Sequence, residues 1–265
     1  MFKIIVCIKA VPDPKMASEI KIDPQTKTLT RANVPLVLNQ LDKHAMEAAL
    51  VLKSEVDCEI TVVSMGPPPA AAILKECLAM GADRGVLLSD RAFGGADAYA
   101  TAYTLARGIE KICTPDLVLC GMASSDGSTE WVAPELGVFL DMPVVTGVKK
   151  ITADSGKWWQ IKSHIDNGYR LLKVELPAVL AVTRELNDPR NISFSGIIKA
   201  RKKEISTWDF KALEVPESSL GLAGSPTIIS DLRVSSSKRK VELLEGTREE
   251  KAEQLVQKLA AAGIL

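Results

Sequence analysis

Short apolar runs and longer segments of helical period take turns along the first half of this chain, and that alternation limits its fold more than any single motif. Phe2–Ile8, Glu59–Ser64, Gly85–Leu88 and Leu117–Cys120 read as buried strands, rich in Val, Ile and Leu. Between and after them Leu41–Lys53, Pro69–Met80, Ala96–Lys111 and Glu130–Leu140 repeat apolar residues at the spacing of one helix face. A βαβα series closes through right-handed crossovers into a mostly parallel sheet covered by helices on both faces. The expected class is therefore α/β, Rossmann-like and doubly wound, with its ligand site outside the C-terminal strand ends.

At one such end the stretch Leu117 to Trp131 runs from an apolar strand through small polar residues into a helix expected to begin near Thr129. Small side chains let backbone amides approach an anion, and a helix N-terminus aims unpaired N–H groups and its positive dipole end at the same place. Gly121, Met122, Asp126, Gly127, Ser128, Thr129, Glu130, Trp131 and Val132 are the candidate residues. Asp, Ser and Thr are also ordinary helix caps, so a plain N-cap is the competing reading.

The same positional rule brings in Ala10 and Val11 after the first strand, and Ser64, Met65 and Gly66 after the second. In Asp90–Asp97 the pair Gly94-Gly95 would let a ligand approach the backbone, and a helix from Ala96 would present free amides. A polar loop with Phe93 as a buried staple fits that segment too. Asn39 and Asp42 precede or open a helix and could be caps only.

Composition narrows the partners. Among 265 residues, 46% are apolar and 25% charged, so the chain can bury a large core. Lys plus Arg equals Asp plus Glu at 33 each, which leaves no global field to attract nucleic acid or an anionic membrane. The basic run Lys199–Lys203 lacks interleaved aromatic residues and reads as a solvated face or a subunit contact. Five cysteines, at 7, 58, 77, 113 and 120, form no Cys-x-x-Cys pair, which fits reduced thiols in a cytoplasm. With only His44 and His164, both read as structural, no metal site is expected. The first apolar run is too short to span a bilayer and precedes no small-residue cleavage site, so no membrane insertion is expected.

Two inserts interrupt the alternation. Glu19–Ile22 and Thr28–Arg31 flank Asp23–Lys27 as a small hairpin, and Trp158–Ile165 and Tyr169–Glu175 flank Asp166-Asn167-Gly168 as a clearer one. An antiparallel edge on a parallel sheet follows. Leu176–Val182 reads as the last central strand, which sets a first domain of 1–182. From 183 to 265 polar loops and isolated apolar residues suggest an arm that wraps a partner subunit, ending in a helix over Thr247–Ala261.

Several segments in series resemble the beta subunit of electron-transfer flavoproteins: Val11-Pro12-Asp13, Asn39-Gln40-Leu41-Asp42, Ala79–Gly85, Asp126–Thr129, Leu176–Val179, Leu186–Arg190 and Ile198–Lys203. Each is weak alone, whereas their order and spacing over nearly the whole chain are specific. The resemblance implies an adenine nucleotide site in the α/β domain and a heterodimer with an alpha subunit that carries a mobile FAD domain. Asp90–Asp97 followed by Thr101 further resembles the electron-bifurcating branch. That branch holds a second FAD here, takes a hydride from NADH, and sends electrons to the alpha-subunit FAD and to ferredoxin. In the other branch the same place holds AMP.

The resemblance places Asn39, and less directly Asp42, over the adenosine, and Asp90, Phe93, Gly94, Asp97 and Thr101 beside flavin and nicotinamide. Leu186 corresponds to an exposed anchor for an acyl-CoA dehydrogenase-type partner or a 2-hydroxy acid dehydrogenase. Ser128 stands where an acidic residue is usual and Trp131 where an amide is usual, so backbone contacts from Gly127 to Val132 carry the phosphate expectation. No side chain is expected to be catalytic, because flavin would carry the redox chemistry. An ATP-dependent ligase or pyrophosphatase ranks below, since its phosphate loop follows the first strand and this one follows the fourth. A scaffolding subunit with a degenerate site is the remaining rival.

Overall fold

The computed structural model describes every residue except 20, 23–28, 31–33, 154–155 and 229–240. Its elements run in the order β1 (Phe2–Cys7), β2 (Ala10–Pro12), β3 (Lys21–Ile22), β4 (Leu29–Thr30), β5 (Leu36–Leu38), α1 (Gln40–Glu55) and β6 (Cys58–Met65). Then come α2 (Ala71–Met80), β7 (Arg84–Leu88), α3 (Ala98–Ile112), β8 (Leu117–Gly121), α4 (Val132–Phe139) and β9 (Val144–Thr152). The chain continues through β10 (Trp158–Ile165), β11 (Gly168–Glu175), β12 (Ala178–Val182), α5 (Phe194–Ala200), β13 (Ile205–Trp208) and α6 (Arg248–Ala261).

Nine strands form one sheet in the order β11-β10-β9-β12-β8-β1-β6-β7-β13. From β9 to β13 all neighbours are parallel, and β10 and β11 add the antiparallel edge. The central strands are apolar on both sides because helices cover both faces. Ile4, Val6, Ile60, Val62, Leu117 and Leu119 enter one core layer, whereas Ile5, Val63, Val86, Val118 and Val179 enter the other. β6 and β7 build outward on one side of β1, and after α3 the chain resumes on its other side with β8. The crevice at the ends of β1 and β8 is thus the point where winding reverses, which is where such sheets take ligands.

Several expectations need correction. The helix expected from near Thr129 begins at Val132, because Ser128 (φ +49°) and Glu130 (φ +60°) are left-handed and cannot start a right-handed turn. α3 begins two residues later than Ala96, with Asp97 as its cap. In the second hairpin Ile165 pairs with Gly168, so Asp166 and Asn167 make the turn and Gly168 (φ +147°) opens the return strand. In the first hairpin β3 and β4 pair antiparallel, while the turn at Asp23–Lys27 lies outside the described residues.

The expected boundary at Val182 falls inside a larger unit. Two compact units are Met1–Asp231 and Leu232–Leu265. The first extends past Val182 because β13 pairs in parallel with β7, Ile205 opposite Gly85 through Trp208 opposite Leu88. Four residues at a sheet edge are too few to show a period. In the second unit Thr247 and Glu250 close a reciprocal capping box on α6, a helix with no buried residue.

Candidate functional site

The crevice at the reversal point is tied together by α1. Asp42 is 6% exposed, and its carboxylate accepts from the Lys9 amide at 2.8 Å and the Gly121 amide at 3.1 Å. One side chain therefore joins the chain just after β1 to the last residue of β8. Burial pushes the Asp42 carboxyl up to about 7, against the opposing hydrogen bonds from Asn39 and the amides of Lys9 and Gly121. Asn39, 2% exposed, donates from Nδ2 to the Ala123 carbonyl at 2.9 Å and accepts from the Ser125 amide at 3.2 Å. Both residues that could have been simple caps thus hold the β8 loop instead, and α1 has no side-chain cap bond at Asn39.

Gly121 is required there. A Cβ at this position would come within 2.4 Å of Asp42 Oδ1 and 2.7 Å of the Leu41 carbonyl carbon. The loop beyond it turns on Ser124, whose carbonyl accepts from the Ser128 amide at 2.9 Å and from the Ser128 hydroxyl at 3.1 Å. Ser125 to Trp131 are exposed, apart from the Asp126 side chain, which keeps 12% of its surface. Lys9, which no sequence argument singled out, reaches into the loop: Nζ lies 2.6 Å from Asp126 Oδ1 and 3.3 Å from Ser124 Oγ. A lone cation at the strand end, beside Ala10, was the available signal.

Ala10 opens β2 and pairs with Leu38, one residue before Asn39. Ser64 and Met65 end β6, and the Gly66 amide donates to the Leu88 carbonyl at 3.0 Å, so both strand ends lie on the same edge. The Ser64 hydroxyl is fully buried and has no hydrogen-bond partner among the described residues. Met122 donates its amide to the Val182 carbonyl and is half-buried.

The Asp90–Thr101 segment forms a neighbouring cluster that the chain itself covers. Asp90 caps a short turn by accepting from the Ala92 amide at 2.9 Å, and Phe93 is buried at 5% exposure in the second core layer. The Phe93 ring is thus part of the core, and Gly94 is exposed although its carbonyl is taken by the chain itself. Asp97 accepts from the Ala100 amide at 3.0 Å, from the Thr227 amide at 3.0 Å and from the Thr227 hydroxyl at 2.7 Å. Burial would raise the Asp97 carboxyl, but the Ala100 and Thr227 bonds outweigh it and hold it below its usual range. Leu222 donates its amide to the Gly94 carbonyl at 2.9 Å, so residues 221–227 strap this loop. Sequence reading missed that strap, since nothing local links positions 130 residues apart. Thr101 sits half-buried on the first turn of α3.

α3 packs against α4, with Tyr99 and Tyr103 edge-on to Phe139 at 5.1 and 5.4 Å between centroids. Burial first, then the Asp97 charge, raises the Glu135 carboxyl in the first turn of α4. Its Oε2 has no partner among the described residues. Glu135 was also missed.

Leu186 is not an exposed leucine. It is half-buried and packs against the first core layer, because the arm is clamped to α1. Arg190 makes a bidentate pair with the buried Glu47, Nη2 to Oε1 and Nε to Oε2 both at 2.8 Å. Asn187 donates to the His44 carbonyl at 3.0 Å. Apolar exposure on this arm sits further on, in α5, at Phe194 (79%), Ile197 (42%) and Ile198 (46%). All five cysteines are free thiols, and Cys120, hydrogen-bonded to Cys7 and buried, has its thiol raised well above the ordinary value. No group of three metal-binding side chains occurs among the described residues, nor is any helix among them long and apolar enough to cross a membrane.

A doubly wound parallel sheet with a small-residue loop at its reversal point defines a Rossmann-like α/β protein. A family model for the electron transfer flavoprotein domain matches residues 26–213. Subunit CarD of the caffeyl-CoA reductase-Etf complex of Acetobacterium woodii is 43% identical over 265 residues, covering 99% of this chain and 100% of that protein. The electron transfer flavoprotein subunit beta of Clostridium acetobutylicum is 43% identical, covering 97% of each chain. The acryloyl-CoA reductase electron transfer subunit gamma of Anaerotignum propionicum is 37% identical over 97% of each. The chain belongs to the electron transfer flavoprotein family, as a beta-type subunit.

Proposed function

We propose that this chain is the beta subunit of an electron-bifurcating electron-transfer flavoprotein, binding FAD where conventional members bind AMP. The observation that supports the reading is that two loops, one after β8 and one after β7, lie on the same strand-end edge. The β8 loop is fixed by Asn39 and Asp42, and the Asp90–Thr101 segment, after β7, is held by Asp97 and its strap. A dinucleotide is long enough to need both, whereas AMP needs only the first.

The residues fit such a group. Exposed small residues at Ser125–Thr129 admit a pyrophosphate to the backbone, Lys9 supplies a cation, and the unpartnered Ser64 hydroxyl and Glu135 carboxyl offer polar contacts at the strand ends and at α4. Flavin, when bound, supplies the redox chemistry: hydride acceptance from NADH and release of electrons singly, to the alpha-subunit FAD and to ferredoxin. The chain's own part is to bind and orient. Burial and the Asp97 charge raise the Glu135 carboxyl beside that cluster, and the buried Asp42 ties the chain just after β1 to the end of β8.

Electrons leaving through the alpha subunit would reach an acyl-CoA dehydrogenase-type or 2-hydroxy acid dehydrogenase partner. Two relatives named for CoA-ester reductases favour the former. The arm from 183 would dock that partner through Phe194, Ile197 and Ile198, since Leu186 faces inward; residues 232–265, with α6, would wrap the alpha subunit.

The test is the cofactor content and NADH response of the complex purified with its alpha-type subunit. Two FAD per heterodimer and flavin bleaching by NADH are expected. One FAD plus one AMP, with no bleaching, would make it a conventional AMP-containing carrier.

A further inference from the structure

We propose that Lys9 is the charge partner of the nucleotide's phosphate and that Asp126 holds its place, so that binding exchanges a carboxylate for a phosphate. The proposal rests on the nucleotide reading above and adds a residue to it. Lys9 is positioned from both sides of its backbone. Its amide donates to Asp42 at 2.8 Å, and its carbonyl accepts from the Asn39 amide at 3.0 Å. The side chain therefore starts from a fixed point at the reversal crevice and crosses to the β8 loop.

Its ammonium meets Asp126 Oδ1 at 2.6 Å and Ser124 Oγ at 3.3 Å. A Cβ on Gly127 would lie 3.9 Å from Nζ, so the loop backbone that would cradle an anion runs against the cation. The Asp126 oxygen marks a position where the Lys9 ammonium donates to a negatively charged oxygen. A phosphate oxygen is the same kind of acceptor, with more charge to offer. The exchange is open from the lysine side, where the Lys9 side chain is 46% exposed against 12% for Asp126, and a phosphate arriving there takes over the cation while Asp126 turns out to solvent. Adenosine 5′-phosphates, from AMP to a dinucleotide, share the required group.

The experiment uses the full chain in complex with its alpha-type subunit, stripped of bound nucleotide and titrated calorimetrically with AMP and with adenosine. Wild type should prefer AMP. Lys9→Met should weaken AMP by about 10- to 100-fold, the range of a charge-assisted hydrogen bond, and leave adenosine nearly unchanged. Lys9→Arg should keep most of the preference. Asp126→Asn should tighten AMP a few-fold by removing the competing charge. Equal losses for AMP and adenosine in Lys9→Met would show that Lys9 only shapes the loop, and unchanged AMP affinity would remove it from the site. Either result overturns the proposal while AMP binding by wild type upholds the nucleotide reading. Wild type that binds neither compound would instead remove that reading, and this one with it.

Discussion

Gly121 and Asp42 make the smallest unit on which the site depends. A methyl group at 121 would meet backbone atoms of Leu41 and Asp42 at 2.7 and 2.8 Å, so α1 or the end of β8 must shift. Gly121→Ala should destabilise the chain by about 1–3 kcal/mol in urea unfolding, as overpacking does, and should also lower nucleotide content. Asp42→Asn leaves one acceptor oxygen for two amides and should cost about 1–3 kcal/mol. It should also change the pH dependence. With the folded carboxyl at about 7 against 3.8, the native state between those values holds a proton that the unfolded chain has released. Stability from this group is therefore full below the unfolded value, falls as pH rises through the folded one, and is flat above. Urea midpoints across that window should slope downward in wild type and lose that component in Asp42→Asn; parallel profiles would contradict the raised carboxyl.

At the scale of elements, the arm from Thr183 is legible only through its clamps. Glu47 lies on α1 among Ala45, Met46 and Ala48, and its partner Arg190 is 143 residues away. Arg190→Met would strip the buried Glu47 carboxylate of its guanidinium and leave it the Arg190 amide at 3.1 Å. With Arg190 about half-exposed, a loss of about 1–3 kcal/mol is expected, read by thermal denaturation. α5 is seated by Gly196, where a Cβ would come within 2.2 Å of the Ala79 carbonyl oxygen of α2. Gly196→Ala should push α5 off α2 and lower both stability and partner affinity. Phe194→Ala should weaken docking alone, since the ring is 79% exposed and holds nothing in the core. Partner binding by surface plasmon resonance, beside a melting curve, separates the two outcomes. The β8 loop shows the same limit of local reading. Its small residues announced an anion cradle, but the left-handed Ser128 and Glu130 delay α4 to Val132, and caps common to every helix could not reveal that.

For the whole molecule, alternation of strand and helix periods determined the class of fold, because burial on both faces of a parallel sheet demands continuous apolar strands joined by amphipathic helices. Chain order further determined that β8 carries the loop and that Asn39 and Asp42 open α1. What the sequence could not decide is which distant pieces meet. Strand order, with β1 between β6 and β8, created the crevice; β13 closed the far edge from beyond Val182; residues 221–227 strapped the Asp97 loop; and Lys9 found Asp126. Each is a contact between segments separated by more than 100 residues, except for the strand order itself. Periodicity and capping act over a few residues and carry no information about such pairings. Local chemistry fixed what each segment is, and only tertiary packing brought two strand-end loops and a lysine onto one edge, where a shared ligand could span them.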